Sequence, residues 1–334
     1  MTTIETSSPP AVRSSRVNAA KLLSRYGTFA AFIALLIFNL IVTPNFVSWQ
    51  TLNVNLTQVA TIVIVAVGMT LVIATGGIDL SVGSLMAIAG AAAPMIFMGQ
   101  LLPIENMGIL IILSFILPIL LVMAFGWFNG FLVTRFSIQP IVATLVLFIA
   151  GRGLAQVATN GNLQVFKNPD FQFIAMGRIA GIPAQVVVMI IVAILAHCLI
   201  RYTVIGRQII AVGGNEKAAR LTGIPVRRVK TFVYVISGAL AGLAGLIVVA
   251  RNSASDANLV GLGMELDAIA AVAVGGSLLT GGRANILGTV LGAFVIQLVR
   301  YTLLANGVPD AAALIVKAGL IIVAVFIQQR ADKA

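Results

Sequence analysis

The stretch Thr61-Ile62-Val63-Ile64-Val65-Ala66-Val67-Gly68-Met69-Thr70-Leu71-Val72-Ile73-Ala74 runs straight into Thr75-Gly76-Gly77-Ile78-Asp79-Leu80-Ser81-Val82-Gly83-Ser84. The first part carries no charge and, extended to its natural end, approaches the roughly 20 residues that a helix needs to cross a bilayer. The second part ends that helix with two glycines and offers Asp79 or Ser81 as a cap for the helix that follows. An acid near a helix N-terminus is favoured by the dipole. The pattern therefore reads as an apolar span broken by a polar turn.

The rest of the chain repeats this apolar character. The runs Phe29–Val42, Val186–Ala196 and Leu314–Ile327 contain a single charge, Lys317. Over 334 residues, 60% are hydrophobic and 9% charged, and the mean hydropathy is +1.08. Too few charges remain to cover the surface of a water-soluble domain of this length. Breaking the chain at polar, Gly and Pro clusters gives about ten apolar segments by period and punctuation. They centre near Leu35, Val65, Ala89, Ile116, Leu147, Ile190, Leu240, Val272, Gly292 and Ile321. The expected fold is all-α: a polytopic transmembrane bundle of about ten spans, with short broken or re-entrant segments. Two re-entrant segments would reduce the crossings to eight. Residues 1–25, rich in Ser, Thr and Pro near the start, are expected to form a disordered cytoplasmic tail, and residues 26–330 a single membrane domain. The first apolar run lacks a small-residue cleavage site and reads as a retained span.

The net charge of +11 lies in short segments between apolar runs, which points away from nucleic acid and toward the positive-inside rule. With the N-terminus inside, most of the 21 basic residues fall in inner segments, and Glu105, Asp170, Asp256, Glu265 and Asp310 fall outside. Both termini are then cytoplasmic. A faint repeat pairs Thr75-Gly76-Gly77 and Gly83-Ser84 with Thr280-Gly281-Gly282 and Gly288-Thr289. It is either a parallel internal repeat of the kind transporters use or a coincidence in a chain with 32 glycines.

Several absences narrow the chemistry. No Gly-Lys dipeptide occurs, so the phosphate loop of a Walker A site is missing. No metal-ligand spacing and no paired carboxylates suggest an enzyme, and no cofactor is expected on this chain. His197 and Cys198 are adjacent and point in different directions on a helix, which favours inert packing. Mid-membrane acids of the kind that serve an ion-coupled carrier are few. The driving force is expected from another subunit.

The inner loop 201–230 contains Arg201, Arg207, Lys217, Arg220, Arg227, Arg228 and Lys230 against one acid, Glu216. Within it, Asn215 to Pro225 reads as a short helix: Asn215 caps it, Glu216 complements its dipole, and Gly223 and Pro225 stop it. Such an element is either a docking helix with a small Ala218-Ala219 face or a solvated basic loop. Within the spans, Thr57, Gln58 and Thr61 share a helix face, and Asn129 and Arg152 are also intramembrane. These polar groups either bond helix to helix or line a path. Gly76, Gly77, Asp79 and Ser81 are path candidates on the same terms. Asp256, Glu265 and Asp267 form either an outer docking rim or a solvated loop.

Three stretches resemble one family. Gly206-Arg207-Gln208-Ile209-Ile210-Ala211-Val212-Gly213-Gly214-Asn215 through Ala218-Ala219-Arg220-Leu221-Thr222-Gly223-Ile224 is similar to the coupling loop of carbohydrate ABC permeases. Gly68 to Ser84, and Glu265-Leu266-Asp267-Ala268-Ile269-Ala270-Ala271-Val272 with Gly275-Gly276-Ser277 and Gly281-Gly282, match the same family in the same order. The group is the ribose, xylose, arabinose and galactofuranose branch of the branched-chain-type permeases. The resemblance implies two permease copies, identical or closely homologous, set in membrane lipid. A cytoplasmic ATPase with two nucleotide-binding halves would dock below and use the ATP and Mg, and a periplasmic sugar-binding protein would deliver substrate. It also implies that Gly213, Gly214, Asn215, Ala218, Ala219, Arg220 and Gly223 couple to the ATPase. Asp256-Ala257-Asn258 and Gly282-Arg283 lean toward the galactofuranose branch, so a pentose or a galactose-type monosaccharide is the expected cargo. The alternatives are a permease for a branched-chain amino acid or nucleoside and, behind it, an ion-coupled carrier.

Overall fold

The computed structural model describes residues 14–309, 311–316, 318–319 and 322. These form a helical bundle in which six helices are long and apolar enough to cross a membrane. They are α2 (Trp49–Ala74), α4 (Met107–Arg135), α5 (Pro140–Ala158), α7 (Ala184–Tyr202), α10 (Val226–Asn252) and α12 (Ile286–Ala305). Helix α1 (Ser14–Val42) starts within the stretch 1–25 expected as a disordered tail, and residues 1–13 lie outside the described ones. The tenth apolar segment, centred on Ile321, also lies largely outside them.

Two of the expected spans are short. Helix α3 (Val82–Phe97) has 16 residues and α11 (Met264–Val274) has 11, about 24 Å and about 17 Å at 1.5 Å per residue. Neither reaches across a hydrocarbon core of about 30 Å alone. Both adjoin polar breaks: residues 75–81 separate α2 from α3, and residues 275–285 separate α11 from α12. The helix ends preceding the two breaks match, with Gly76 at φ +79° and Gly276 at φ +78°. The second break is four residues longer, so the Gly281-Gly282 pair does not occupy the position of Gly76-Gly77.

Burial divides the helices by role. Of the most apolar stretch of α2, 83% is buried, against 22% for α4. A helix that is apolar on every side belongs in the centre of a bundle, and α10, α11, α12 and α7 surround α2. On α4, Ile109, Ile112, Ile116 and Leu120 are exposed at helical spacing and form an apolar outer face. Exposed apolar faces of this extent suit contact with hydrocarbon, and in water they would drive association.

Helices α4 and α10 are in contact through their backbones. A Cβ on Gly126 would lie 2.4 Å from the Tyr234 carbonyl oxygen, and one on Gly238 would lie 2.6 Å from that of Val122. Further along α10, a Cβ on Gly245 would lie 2.4 Å from the Met86 carbonyl oxygen on α3. Small residues allow this approach, and the dispersion gained replaces a hydrophobic drive that lipid cannot supply.

At one end, a cap covers α3, α4 and α10. It comprises β1 (Gln164–Val165), α6 (Pro169–Met176), β2 (Arg178–Ile179) and β3 (Ile182–Pro183). Strand β1 pairs antiparallel with β4 (Ala254–Ser255), which follows α10, and β2 pairs with β3. Phe171 of α6 sits among Phe97, Phe115 and Phe166 at ring separations of 4.9 to 5.7 Å. Asn168 caps α6 by accepting from the Phe171 amide. At the other end, α8 (Val204–Gly214) and α9 (Glu216–Leu221) link α7 to α10.

The packing predicts unequal outcomes for two glycines. Gly245→Ala meets backbone and should destabilise by about 1–3 kcal/mol, read as a lower melting temperature in detergent. Gly153→Ala in α5, where a Cβ meets nothing within 4 Å, should be neutral or gain up to about 1 kcal/mol from helix propensity.

Candidate functional site

The break between α2 and α3 is built around one buried carboxylate. Gly76, at φ +79°, turns the chain out of α2. Gly77 then passes so near α10 that a Cβ would lie 2.6 Å from the Tyr234 hydroxyl. Asp79 follows with no solvent exposure. Its Oδ1 accepts from the Ser81 amide at 3.0 Å and from Ser81 Oγ at 2.6 Å, and its Oδ2 accepts from Ser237 Oγ of α10 at 2.7 Å. Asn129 of α4 donates from Nδ2 to Ser81 Oγ at 2.9 Å. Thr144 of α5 accepts from the Leu80 amide at 3.1 Å and donates to the Ile78 carbonyl at 3.3 Å. A break that would otherwise expose backbone in a dry interior is thereby tied to α4, α5 and α10.

Of the two capping candidates, Asp79 bonds the backbone at the start of α3, whereas Ser81 makes no side-chain cap bond. Gly77, Asp79, Ser81 and Asn129 are all buried in this conformation, while Gly76 is exposed. The Thr57 face divides similarly. Gln58 accepts from Gln297 of α12 at 2.7 Å, Thr61 bonds back to the Gln58 carbonyl, and the Thr57 carbonyl accepts from Arg251 at 3.0 Å. A polar contact absent from the sequence reading, Thr70 with Thr289 at 2.9 Å, joins α2 to α12.

Arg152 is a clamp. Its Nη1 donates to the carbonyls of Ala257 at 2.9 Å and Val260 at 2.6 Å, and Gln156 Nε2 donates to Asn258 Oδ1 at 2.7 Å. These bonds fix the loop between β4 and α11 to α5. The acidic rim expected there differs in composition. Glu265 and Asp267 are only 6% and 7% exposed, because the first turn of α11 faces inward, with Glu265 against Gly83. Asp256 remains partly exposed and accepts from the Asn258 amide at 2.8 Å. The outermost groups are Leu259 and Leu262, 65% and 69% exposed.

At the opposite end, α9 has the boundaries that its sequence suggests. Asn215 Oδ1 accepts from the Ala218 amide at 3.0 Å, and Gly223 turns the chain at φ +82°. Ala218, Arg220 and Gly223 are exposed, and Ala219 is buried. Glu216 pairs with Lys230 of α10 at 2.6 Å and with Arg220 at 2.9 Å. Leu221 is 89% exposed, an apolar residue at a polar helix end that composition alone does not single out. A cavity of about 190 Å³ lies beside α9, bounded by Glu216, Arg220, Arg227 and Lys230 and by the α4–α5 link. His197 rests edge-on against Tyr202, and Cys198 is exposed on α7.

Two outcomes follow from these networks. Asp79→Asn presents an amide where three donors converge and should cost about 2 kcal/mol or more, seen as a melting temperature several degrees lower. The Glu216 carboxyl is held below its ordinary value of 4.5, first by its bond from Lys230. Its contribution is therefore fully present above the ordinary carboxylate range and disappears as pH falls through the depressed value. The difference in melting temperature between the native chain and Glu216→Gln should be constant at neutral pH and shrink toward zero in acid. Because the Glu216 side chain keeps 40% exposure, solvent screens the pair and the difference should be small.

Comparison with known proteins matches residues 51–325 to the family described as "Branched-chain amino acid transport system / permease component". The galactofuranose transporter permease protein of Escherichia coli is 39% identical over 317 residues, covering 90% of this chain and 88% of its own. The ribose import permease protein of Escherichia coli is 41% identical over 307 residues, covering 90% and 93%. The fructose import permease protein FruF of Bifidobacterium longum is 40% identical over 304 residues, covering 86% and 83%. No solved structure matches. With both breaks and all three motif stretches inside the matched region, the chain is an integral membrane protein and belongs to the branched-chain amino acid transport system permease family.

Proposed function

We propose that this chain is the membrane subunit of an ATP-driven, binding-protein-dependent sugar importer of the bacterial inner membrane, moving a pentose or a galactose-type monosaccharide. The observation that carries the reading is the similarity, over about nine-tenths of the chain, to permeases named for galactofuranose and ribose. The broader family is described by branched-chain amino acids, so a permease for such a solute stands as a second reading, which the sugar-named relatives do not favour.

In this scheme about ten segments cross or enter the membrane, with both termini cytoplasmic, and two copies enclose the path. A cytoplasmic ATPase with two nucleotide-binding halves holds the ATP and Mg and docks on α9. The exposed Ala218, Arg220, Leu221 and Gly223 form the contact, backed by Gly213, Gly214, Asn215 and the buried Ala219. Arg220 supplies a directed cation, and Leu221 an apolar anchor that loses water on docking. A periplasmic sugar-binding protein meets the opposite face at the clamped loop holding Asp256, with Glu265 and Asp267 beneath it. Thr57, Gln58, Gly76 and Arg152 border the path, backed by the buried Thr61. Gly77, Asp79, Ser81 and Asn129 hold its broken helix in shape.

Reconstitution tests the scheme. Proteoliposomes containing the chain and its partner ATPase should hydrolyse ATP several-fold faster when the binding protein and one sugar are both present. Arg220→Glu, which reverses the charge on the docking helix, should reduce that stimulation by about tenfold. Stimulation by a branched-chain amino acid in place of every sugar would favour the second reading. Sugar uptake by the chain alone along an ion gradient would overturn both.

A further inference from the structure

Three backbone segments far apart in sequence meet at one point without intervening side chains. Ala74 ends α2, and its carbonyl oxygen accepts from the amide of Gly282, in the break after α11, at 3.0 Å. This bond satisfies a carbonyl that the helix end leaves without an internal partner. Gly213, in the last turn of α8, lies against the same bond. A Cβ there would be 1.8 Å from the Ala74 oxygen and 2.5 Å from the Gly282 nitrogen. On the other side, a Cβ on Gly281 would be 2.8 Å from the Gly76 nitrogen and 3.0 Å from the Gly213 oxygen. Both broken-helix turns and the end of α8 therefore share one contact, and neither Gly213 nor Gly281 has room for a methyl group.

Helix α8 is also tied closely to α9. Asn215 alone separates them, donating its amide to the Ala211 carbonyl of α8 at 3.1 Å while its side chain caps α9. A second route runs from Glu216 through Lys230 into α10, where Ser237 holds Asp79. Both routes arrive at residues 74–81.

We propose that Gly213, Gly282 and the Ala74 carbonyl form a backbone joint that moves the two broken-helix turns together with α9. A side-chain contact absorbs displacement by changing rotamer, whereas backbone packed on backbone has no such freedom and passes displacement on. Gly213, Gly281 and Gly282 are positioning residues, acting through the turns they hold. The inference rests on the reading of α9 as the element that the ATPase drives.

The test uses the reconstituted complex with Cys198→Ser, diluted with unlabelled subunit so that distances within one subunit are read. Spin labels go on Lys217→Cys of α9 and Arg283→Cys of the second turn, both exposed positions. A reference pair joins Lys217→Cys to Phe29→Cys on α1. Between the nucleotide-free and vanadate-trapped states, the reference distance should change while the Lys217–Arg283 distance stays within about 2 Å. A change in both distances overturns the joint but leaves the driven helix standing. No change in either, despite ATP turnover, overturns the driven helix and the joint with it. Gly213→Ala should reduce sugar-stimulated turnover by about tenfold and let the Lys217–Arg283 distance vary with nucleotide. Full activity in Gly213→Ala also overturns the joint. Should that variant fail to assemble, the label distances in the unsubstituted chain decide.

Discussion

A carboxylate with no contact to water is costly unless its lone pairs are met by donors, and Asp79 meets this requirement through Ser81 and Ser237. Much of the bundle follows from that constraint. Ser237 must stand on a helix packed tightly enough to reach the break, which the glycine contacts of α10 permit. Asn129 must be brought in by α4, and the backbone around Ile78 and Leu80 must be met by Thr144 of α5. The polar break consequently fixes the relative depth of four helices in an otherwise oily interior, where apolar packing alone would tolerate sliding.

Much of this was legible from residue order. The break at Gly76-Gly77 and the capped helix at Asn215 are local features, set by backbone preference and short-range bonds, and both occur where the sequence puts them. Helix α8 was less visible as a separate element, although Thr203, which accepts from the Gly206 amide, is a recognisable N-cap. The short α6 was also missed, because its stability comes from the aromatic cluster around Phe171 and owes little to its own period.

What residue order does not convey is direction. Composition gives Glu265 and Asp267 an outer position, yet it cannot say that the first turn of α11 faces Gly83 and leaves the leucines outside. Arg152 likewise reads as a polar residue in a span until its partners, more than a hundred residues away, come into view. Gln58 finds Gln297 across an even greater sequence distance. Long-range partners decide whether an intramembrane polar group is a fastening or a lining, and a single sequence carries no record of them.

The contact between α4 and α10 has a consequence for how such a chain can vary. Where helices meet through glycine, every replacement adds volume, so the interface admits almost no neighbouring sequences. The outward apolar positions of α4, such as Ile112 and Leu120, face a medium that does not distinguish one hydrocarbon side chain from another. Random mutagenesis aimed at a new cargo would therefore divide sharply into inviable and silent changes, with few graded intermediates. A designer seeking altered transport would do better to diversify the polar fastenings, where exchanging one hydrogen-bonding group for another changes fit without demanding space.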